Sequence, residues 1–232
     1  MLLLPRGNCL ADNAYWCPEY FSNKYNRHSI LSALSEHVSL VARSVVIALV
    51  VAVVVALLVR GSRVARAASI GVANLLYTIP SVAAFALLSS FLDPRHDTGA
   101  VIVLTAYNLI VLLRNVLVGL DTVPTEVVEA ARGMGYGRLR LVTRVELPLA
   151  LPSIVAGVRI ATVSTIGITT VAALLGFGGL GGLLIAGLNG HPPFHAEIFT
   201  ALVLCVGLAV IAELLLLLVE RLLSPWRRRV TS

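Results

Sequence analysis

Five long stretches of apolar residues divide the chain, and short polar segments separate them. Each stretch has about twenty residues or more, which is enough for a helix to cross the hydrocarbon core of a bilayer. The predicted spans are residues 39–59, 69–92, 99–120, 147–175 and 199–223. The pattern therefore predicts an all-α integral membrane protein with five transmembrane helices and a single membrane domain, residues 38–223.

The segments outside these spans have weaker patterns. Residues 1–27 are polar and irregular and lack the long apolar core of a conventional signal peptide. Residues 28–37 have apolar positions on one side, which predicts a short amphipathic helix at the membrane surface, with a loop as the alternative. The glycine-rich residues 176–190 predict a loop or re-entrant turn.

Composition supports a membrane protein, since 58% of the 232 residues are hydrophobic and only 13% are charged. The net charge of +6 comes from arginines at the ends of the apolar spans, which is typical of membrane topology and does not indicate nucleic-acid binding. If these arginines are cytoplasmic, the N-terminus lies outside the cell and the basic tail, residues 224–232, lies inside. We therefore expect a multi-pass protein of the plasma (inner) membrane.

Residues 124–148 form the most distinctive polar segment between two spans. Pro124 and the residues up to Met134 favour a helix, and Gly135 and Gly137 end it. A second short helix over residues 138–146 precedes Pro148, which fits the start of the next span. The predicted element is two short helices with a glycine bend on the cytoplasmic side.

This segment resembles the EAA loop of ABC-transporter permeases of the binding-protein-dependent import class. The matching positions are Glu129, Ala130, Ala131, Gly135, Val145, Leu147 and Pro148. The resemblance implies the type I ABC importer permease fold, and it implies that this loop forms coupling helices that dock on a separate ATPase. An ordinary cytoplasmic loop is the alternative interpretation.

Further segments resemble the permeases for glycine betaine, carnitine and choline. They are residues 76–81, Tyr107-Asn108, Arg114-Asn115, Gly119-Leu120 and the glycine-rich residues 174–181. The resemblance implies uptake of a quaternary-ammonium osmoprotectant. It also implies three partners besides the lipid bilayer: ATP-binding subunits, a second permease subunit that is identical or related, and an extracytoplasmic substrate-binding protein.

The chain has no phosphate-binding loop of its own, because its single lysine, Lys24, is not in a Gly-Lys-Ser/Thr sequence. We therefore expect a permease without enzymatic activity, with ATP and Mg²⁺ held by the partner ATPase. His191 and His195 are separated by two prolines, so they do not share a regular helix face, and no metal site is predicted. An ATP-independent secondary transporter or channel remains the alternative function.

Polar side chains inside the predicted spans are candidates for a translocation path. They are Tyr77, Thr78, Ser81, Tyr107, Asn108, Ser164, Thr165 and Thr169. A quaternary ammonium solute can bind an aromatic face, which Tyr77 or Tyr107 could supply. Hydrogen bonding between helices is the alternative role of these polar groups.

Two further pairings are left open by the sequence. Glu213 in the last span is expected to form a structural ion pair with Arg114 or Arg159. Cys9 and Cys17 either form a disulfide in an extracytoplasmic tail or remain free, whereas Cys205 lies in an apolar span and is predicted to be a buried hydrophobic residue.

Overall fold

The computed structural model describes residues 9–92 and 97–223, and in this part of the chain helices are joined by turns and short loops, without a strand. The α-helices are α1 (Pro18–Ser22), α2 (Lys24–Val59), α3 (Arg63–Thr78), α4 (Ser81–Ser89), α5 (Thr98–Asp121), α6 (Thr125–Gly133), α7 (Arg138–Leu141), α8 (Leu147–Ala172), α9 (Leu180–Asn189) and α10 (His195–Leu223). A π-helical turn, Val142–Glu146, joins α7 to α8, and a 3₁₀ turn, Ala173–Leu175, follows α8. Residues 93–96 and the basic tail 224–232 lie outside the described residues.

The described helices agree with five membrane spans. Four segments are long and apolar enough to cross a membrane, namely α2, α5, α10 and the continuous segment Arg138–Leu175. The helices α3 and α4 form the fifth span when they are counted together. They are separated because Pro80 has no N–H to continue α3, and because Ile79 before it is extended, with φ −65° and ψ 126°.

The separate amphipathic helix predicted for residues 28–37 is wrong. These residues belong to the 36-residue helix α2, which has no glycine or proline to end it before Val59. The apolar side of these residues packs inside the protein, because Ile30 is buried with Leu180 of α9 and Ala196 of α10. Tertiary packing therefore makes this segment the first part of a long span.

Of the two alternatives for residues 176–190, a loop or a re-entrant turn, the loop is wrong for most of that segment. Only residues 176–179 form a loop, and the next ten residues form the apolar helix α9. Leu180 and Leu183 of α9 are buried in the same cluster as Ile30. Burial of these leucines favours a helix that the local glycine content alone would not predict.

The chain divides into two compact units, each assembled from three stretches. Unit 1 consists of Met1–Arg43, Pro80–Leu104 and Thr165–Val210, and unit 2 consists of Ser44–Ile79, Thr105–Ser164 and Ile211–Ser232. Helices α2, α5, α8 and α10 contribute residues to both units, so the division does not correspond to consecutive domains.

Small side chains allow close helix packing in unit 2. Ala48, Ala52 and Ala56 of α2 are fully buried in the core of this unit. A Cβ atom placed on Gly157 of α8 would lie 2.6 Å from the Cβ atom of Asn115 of α5. Packing through small residues is the usual means by which helices approach each other in membranes.

The segment before α2 is attached to the start of α10 within unit 1. Cys9 and Cys17 form a disulfide, which resolves the alternatives left by the sequence. Inside the closed loop, Asn13 donates to the carbonyl of Pro193 over 2.6 Å, and its side-chain oxygen accepts from the N–H of His195 over 2.9 Å. The disulfide loop is therefore held against the turn between α9 and α10.

Burial changes the ionisation of this segment. Tyr20 is buried beside α10, and burial together with the negative charge of Glu197 raises the pKa of Tyr20 to about 12.

Cys9, Cys17 and Glu19 lie close enough to share an ion, but disulfide formation removes the thiolates that a metal would need.

Candidate functional site

The predicted coupling segment folds as two helices with a bend between them. Pro124 precedes α6, and the last residue of α6 is Gly133. Gly135 has φ +83°, in the left-handed region that side chains with a Cβ atom disfavour. The N–H of Tyr136 donates to the carbonyl of Ala131 over 3.1 Å, so this glycine reverses the chain against the end of α6.

The residues of the segment divide between a buried and an exposed side. Ala131 and Leu141 are buried, whereas Glu129, Ala130 and Gly135 are exposed. The exposed side also carries large apolar side chains and arginines, which are Met134, Leu139, Arg132, Arg138 and Arg140. An exposed surface that combines apolar and charged groups can dock on another protein.

The end of the segment differs from the prediction in one respect. The second helix does not stop before Pro148, because α7 continues through the π-helical turn into α8. The N–H of Leu147 donates to the carbonyl of Val142, five residues earlier, and the next residue, Pro148, has no N–H that would need a partner. Leu147 and Pro148 are half-buried, so they connect the exposed helices to a membrane span.

Two ion pairs hold the ends of neighbouring spans within unit 2. Arg60, just after α2, pairs with Glu146 of the π-helical turn, and Glu146 is buried. Arg66 of α3 pairs with Asp121 at the end of α5, and its second contact measures 3.1 Å. From the sequence, these arginines were used only to predict membrane topology, and their ion pairs were not predicted. The one available signal for the pairing of Glu146 was the position of this carboxylate next to an apolar span.

The pairing of Glu213 is confirmed with one of the two predicted partners. Arg159 of α8 donates to Glu213 of α10, with Nε–Oε1 at 3.1 Å, and to Glu220, with Nη1–Oε2 at 2.9 Å. Arg114 instead donates to the side chain of Asn74 over 3.2 Å. Glu220 was missed as a partner, although it lies two helical turns after Glu213 on the same helix.

The candidate path residues of unit 2 include one aromatic pair. The rings of Tyr77 and Tyr107 lie 5.5 Å apart at 53°, and the Tyr107 hydroxyl donates to the carbonyl of Ile79 at the break between α3 and α4. Tyr107 is buried, whereas 52% of Tyr77 is exposed. Within this unit, Tyr77 therefore presents an aromatic surface that Tyr107 holds in place.

The remaining candidates have different environments. Thr78 and Ser164 of unit 2 are exposed, and Asn108 is buried. In unit 1, Ser81 is half-buried, and Thr165 and Thr169 are buried. The Thr169 hydroxyl donates to the carbonyl of Thr165 over 2.7 Å, so its hydrogen is used inside α8.

Comparison with known proteins finds a matching family and similar permeases. The family described as "Binding-protein-dependent transport system inner membrane component" matches residues 44–229. The chain is 35% identical to the osmoprotectant import permease protein OsmW of Salmonella typhimurium (strain LT2) over 204 residues, 86% of this chain and 94% of that protein. It is 32% identical to the choline transport system permease protein OpuBD of Bacillus subtilis (strain 168) over 216 residues, 92% of this chain and 89% of that protein.

A solved structure has a similar fold. The inward-facing MetNI methionine ABC transporter includes a chain that matches with a TM-score of 0.73 and 23% sequence identity. The match covers 87% of this chain and 99% of that one. At this level of identity the likeness concerns the fold of the helices alone.

Proposed function

The chain belongs to the family of binding-protein-dependent transport system inner membrane components, and we propose that the solute it carries is a quaternary-ammonium osmoprotectant. Membership in this family makes the protein a multi-pass permease subunit of an ABC importer in the inner membrane. The observation that carries the choice of solute is its similarity, over most of its length, to permeases for osmoprotectants and choline. Glycine betaine, choline and carnitine are the candidate solutes.

The exposed side of α6 and its following bend is the proposed coupling surface. Glu129, Ala130 and Gly135 dock on a separate ATP-binding subunit, which carries the ATP and Mg²⁺ and performs the hydrolysis. Ala131, Leu147 and Pro148 then transmit the movement, because they join this surface to the buried side and to α8. The complete importer further contains a second permease subunit and an extracytoplasmic substrate-binding protein.

The Tyr77 ring is the proposed contact for the solute's cationic group. A quaternary ammonium has no N–H to donate, so its attraction to a protein comes from π faces and from weak electrostatic contacts. Tyr77 is exposed and packs against Tyr107, whose hydroxyl is already bonded. The other candidate path residues carry hydroxyl or amide groups, three in each of the two units. They are Thr78, Ser81, Asn108, Ser164, Thr165 and Thr169.

The test is uptake by the importer, co-purified with its partner subunits and reconstituted in liposomes with its binding protein. Radiolabelled choline, glycine betaine and carnitine are offered with and without ATP on the side of the ATPase. We expect ATP-dependent uptake of at least one of them. Replacing Tyr77 by Leu removes the π face and should raise KM about 5- to 30-fold, which corresponds to about 1–2 kcal/mol, whereas Tyr77→Phe should keep the wild-type KM.

Two results would contradict the proposal in different ways. Uptake that proceeds equally without ATP would favour the secondary transporter or channel. ATP-dependent uptake of other solutes, with none of the three carried, would retain the importer and exclude the osmoprotectant as its solute. A Tyr77→Leu variant with wild-type KM would exclude that ring as the cation contact.

A further inference from the structure

His37 lies in the first half of α2, and its side chain is completely buried. Its Nδ1 atom lies 3.3 Å from the backbone nitrogen of Leu180, and its Nε2 atom lies 3.2 Å from the carbonyl oxygen of Ile166. A backbone N–H can only donate and a carbonyl can only accept. The two contacts therefore require a neutral imidazole that accepts through Nδ1 and carries its hydrogen on Nε2.

Glu36 makes the neighbouring contact. Its carboxylate accepts from the N–H of Gly179 over 2.9 Å. Gly179 is the residue before α9, and Leu180 is the first residue of that helix. The first N–H groups of a helix have no partner within it, so consecutive side chains of α2 supply partners for two consecutive N–H groups at this end of α9.

The glycines of the preceding loop are explained by the same contact. Gly179 has φ +79°, and a Cβ atom placed on it would lie 3.0 Å from Nδ1 of His37. A Cβ atom placed on Gly178 would collide with the Glu36 carboxylate. These two glycines therefore leave room for the side chains of Glu36 and His37 of α2. The proposed coupling surface and the proposed solute contact do not involve this packing.

The contacts of His37 join two elements of unit 1. Ile166 lies in α8 between the path candidates Thr165 and Thr169, and Leu180 begins α9. The residues from Ile166 to Leu180 form a connection whose two ends are both bonded to the same imidazole. His37 precedes the part of the chain that matches the family, residues 44–229.

We infer that His37 is a positioning residue for transport, with Glu36 in support: the imidazole caps α9 and fixes the glycine-rich loop, residues 176–179, to the part of α8 that carries Thr165 and Thr169. The inference rests on the proposed function, because the step that it supports is the passage of solute along α8. A buried histidine that only fills space would be replaceable by an apolar side chain of similar size. A capping histidine requires an acceptor at the position of Nδ1.

Three substitutions separate these roles. The side-chain oxygen of Asn lies where Nδ1 of His lies, so His37→Asn keeps the acceptor for Leu180. The amide nitrogen of Gln reaches the position of Nε2, so His37→Gln keeps only the donor for Ile166, and His37→Leu keeps neither. His28→Leu is the matched control, because His28 is an exposed histidine on the same helix.

Two measurements are made on the reconstituted importer. The first is the ATP-dependent uptake rate of choline and glycine betaine, and the second is hydrogen–deuterium exchange of residues 176–189. We expect His37→Asn to keep the exchange rate within about twofold of wild type, because the cap remains, and to lower the uptake rate less than His37→Leu, because only the Ile166 contact is lost. His37→Leu should lower the maximal uptake rate about tenfold and speed exchange by a similar factor, since one buried N–H loses its partner. His37→Gln should lie between them, and His28→Leu should be unchanged.

The outcomes are distinguishable. Wild-type uptake and exchange in His37→Leu would overturn the inference, and so would an Asn variant as impaired as the Leu variant, because either result assigns His37 to packing. If His37→Leu does not fold, the Asn and Gln variants decide at equal yield, and equal behaviour of these two would overturn the capping role. If the wild-type importer carries none of choline, glycine betaine and carnitine, the proposed solute fails, while the order of exchange rates still tests the cap.

Discussion

The guanidinium of Arg60 pairs with the carboxylate of Glu146, and this contact ties the end of α2 to the π-helical turn after α7. The carboxylate is buried, with 9% of its side chain exposed, whereas 34% of the Arg60 side chain is exposed. The helix α6 contacts the same π-helical turn. The ion pair therefore connects the proposed coupling surface to a membrane span inside unit 2.

Replacing Glu146 by Gln should destabilise the protein. The change removes the charge that compensates Arg60, although the Gln oxygen can still accept from the guanidinium, and we expect a cost of about 1–3 kcal/mol, because the charge-assisted contact becomes a neutral acceptor at a mostly buried site. The measurement is the thermal unfolding midpoint of the purified protein in detergent. Glu126→Gln in α6 is the control, since Glu126 is exposed. Equal midpoints for the two variants would show that the pair contributes no stability.

Replacing Gly135 by Ala should impair coupling by straining the backbone of the proposed coupling segment. Among the residues that the structure describes, and apart from the two chain neighbours, no atom lies within 4 Å of the added Cβ, so the cost of about 1–2 kcal/mol comes from the left-handed conformation at φ +83°. We expect less co-purifying ATPase and slower solute-stimulated ATP hydrolysis. Gly133→Ala is the matched control, because the site is equally open but Gly133 lies in α6, where alanine is favourable. Equal loss in both variants would contradict this explanation.

The coupling segment could be predicted from sequence because its signals are local. Pro124 marks the start of α6, and Gly135 supplies a backbone conformation that few other residues adopt. The spans could be predicted for a similar reason, since about twenty consecutive apolar residues are sufficient evidence for each. Such features need no knowledge of what lies elsewhere in the fold.

The missed features depend on distant residues. Residues 28–37 continue into α2 because their apolar side meets α9 and α10, and the glycine-rich loop has its shape because Glu36 and His37 contact it. The partner of Glu213 was narrowed to two arginines, but choosing Arg159 requires the packing of α8 against α10 within unit 2. Periodicity along one chain carries no such information.

Replacing Arg159 alone by Gln should destabilise the protein more than replacing Arg159, Glu213 and Glu220 together. Arg159→Gln leaves Glu213 and Glu220 close together without a counter-charge. Removing one partner of a buried ion pair is strongly destabilising, and the partial exposure of these side chains lowers the expected cost. The triple variant Arg159→Gln, Glu213→Gln, Glu220→Gln should recover much of the loss. The yield of monodisperse protein and its unfolding midpoint measure both effects. A triple variant less stable than Arg159→Gln would show that the charges are net stabilising.

The disulfide predicts a specific count of reactive thiols. Of the three cysteines, only Cys205 is free. Maleimide labelling of the unfolded protein should therefore modify one thiol per chain without reductant and three after reduction, as measured by intact mass. Three labelled thiols before reduction would contradict the pairing.

Loss of the disulfide should also loosen the segment that it closes. The Cys9→Ser, Cys17→Ser variant gives the unfolded chain more freedom, and a disulfide typically contributes about 2–4 kcal/mol. The loop carries Asn13, which bonds to Pro193 and His195, so we expect faster hydrogen exchange at the start of α10 as well as a lower unfolding midpoint. Cys205→Ser is the control, because it removes a cysteine outside this loop.

Because structural disulfides form in oxidising compartments, a paired Cys9 and Cys17 in protein from the native membrane would also support an extracytoplasmic N-terminus. Fully reduced cysteines in that protein would argue for the opposite orientation.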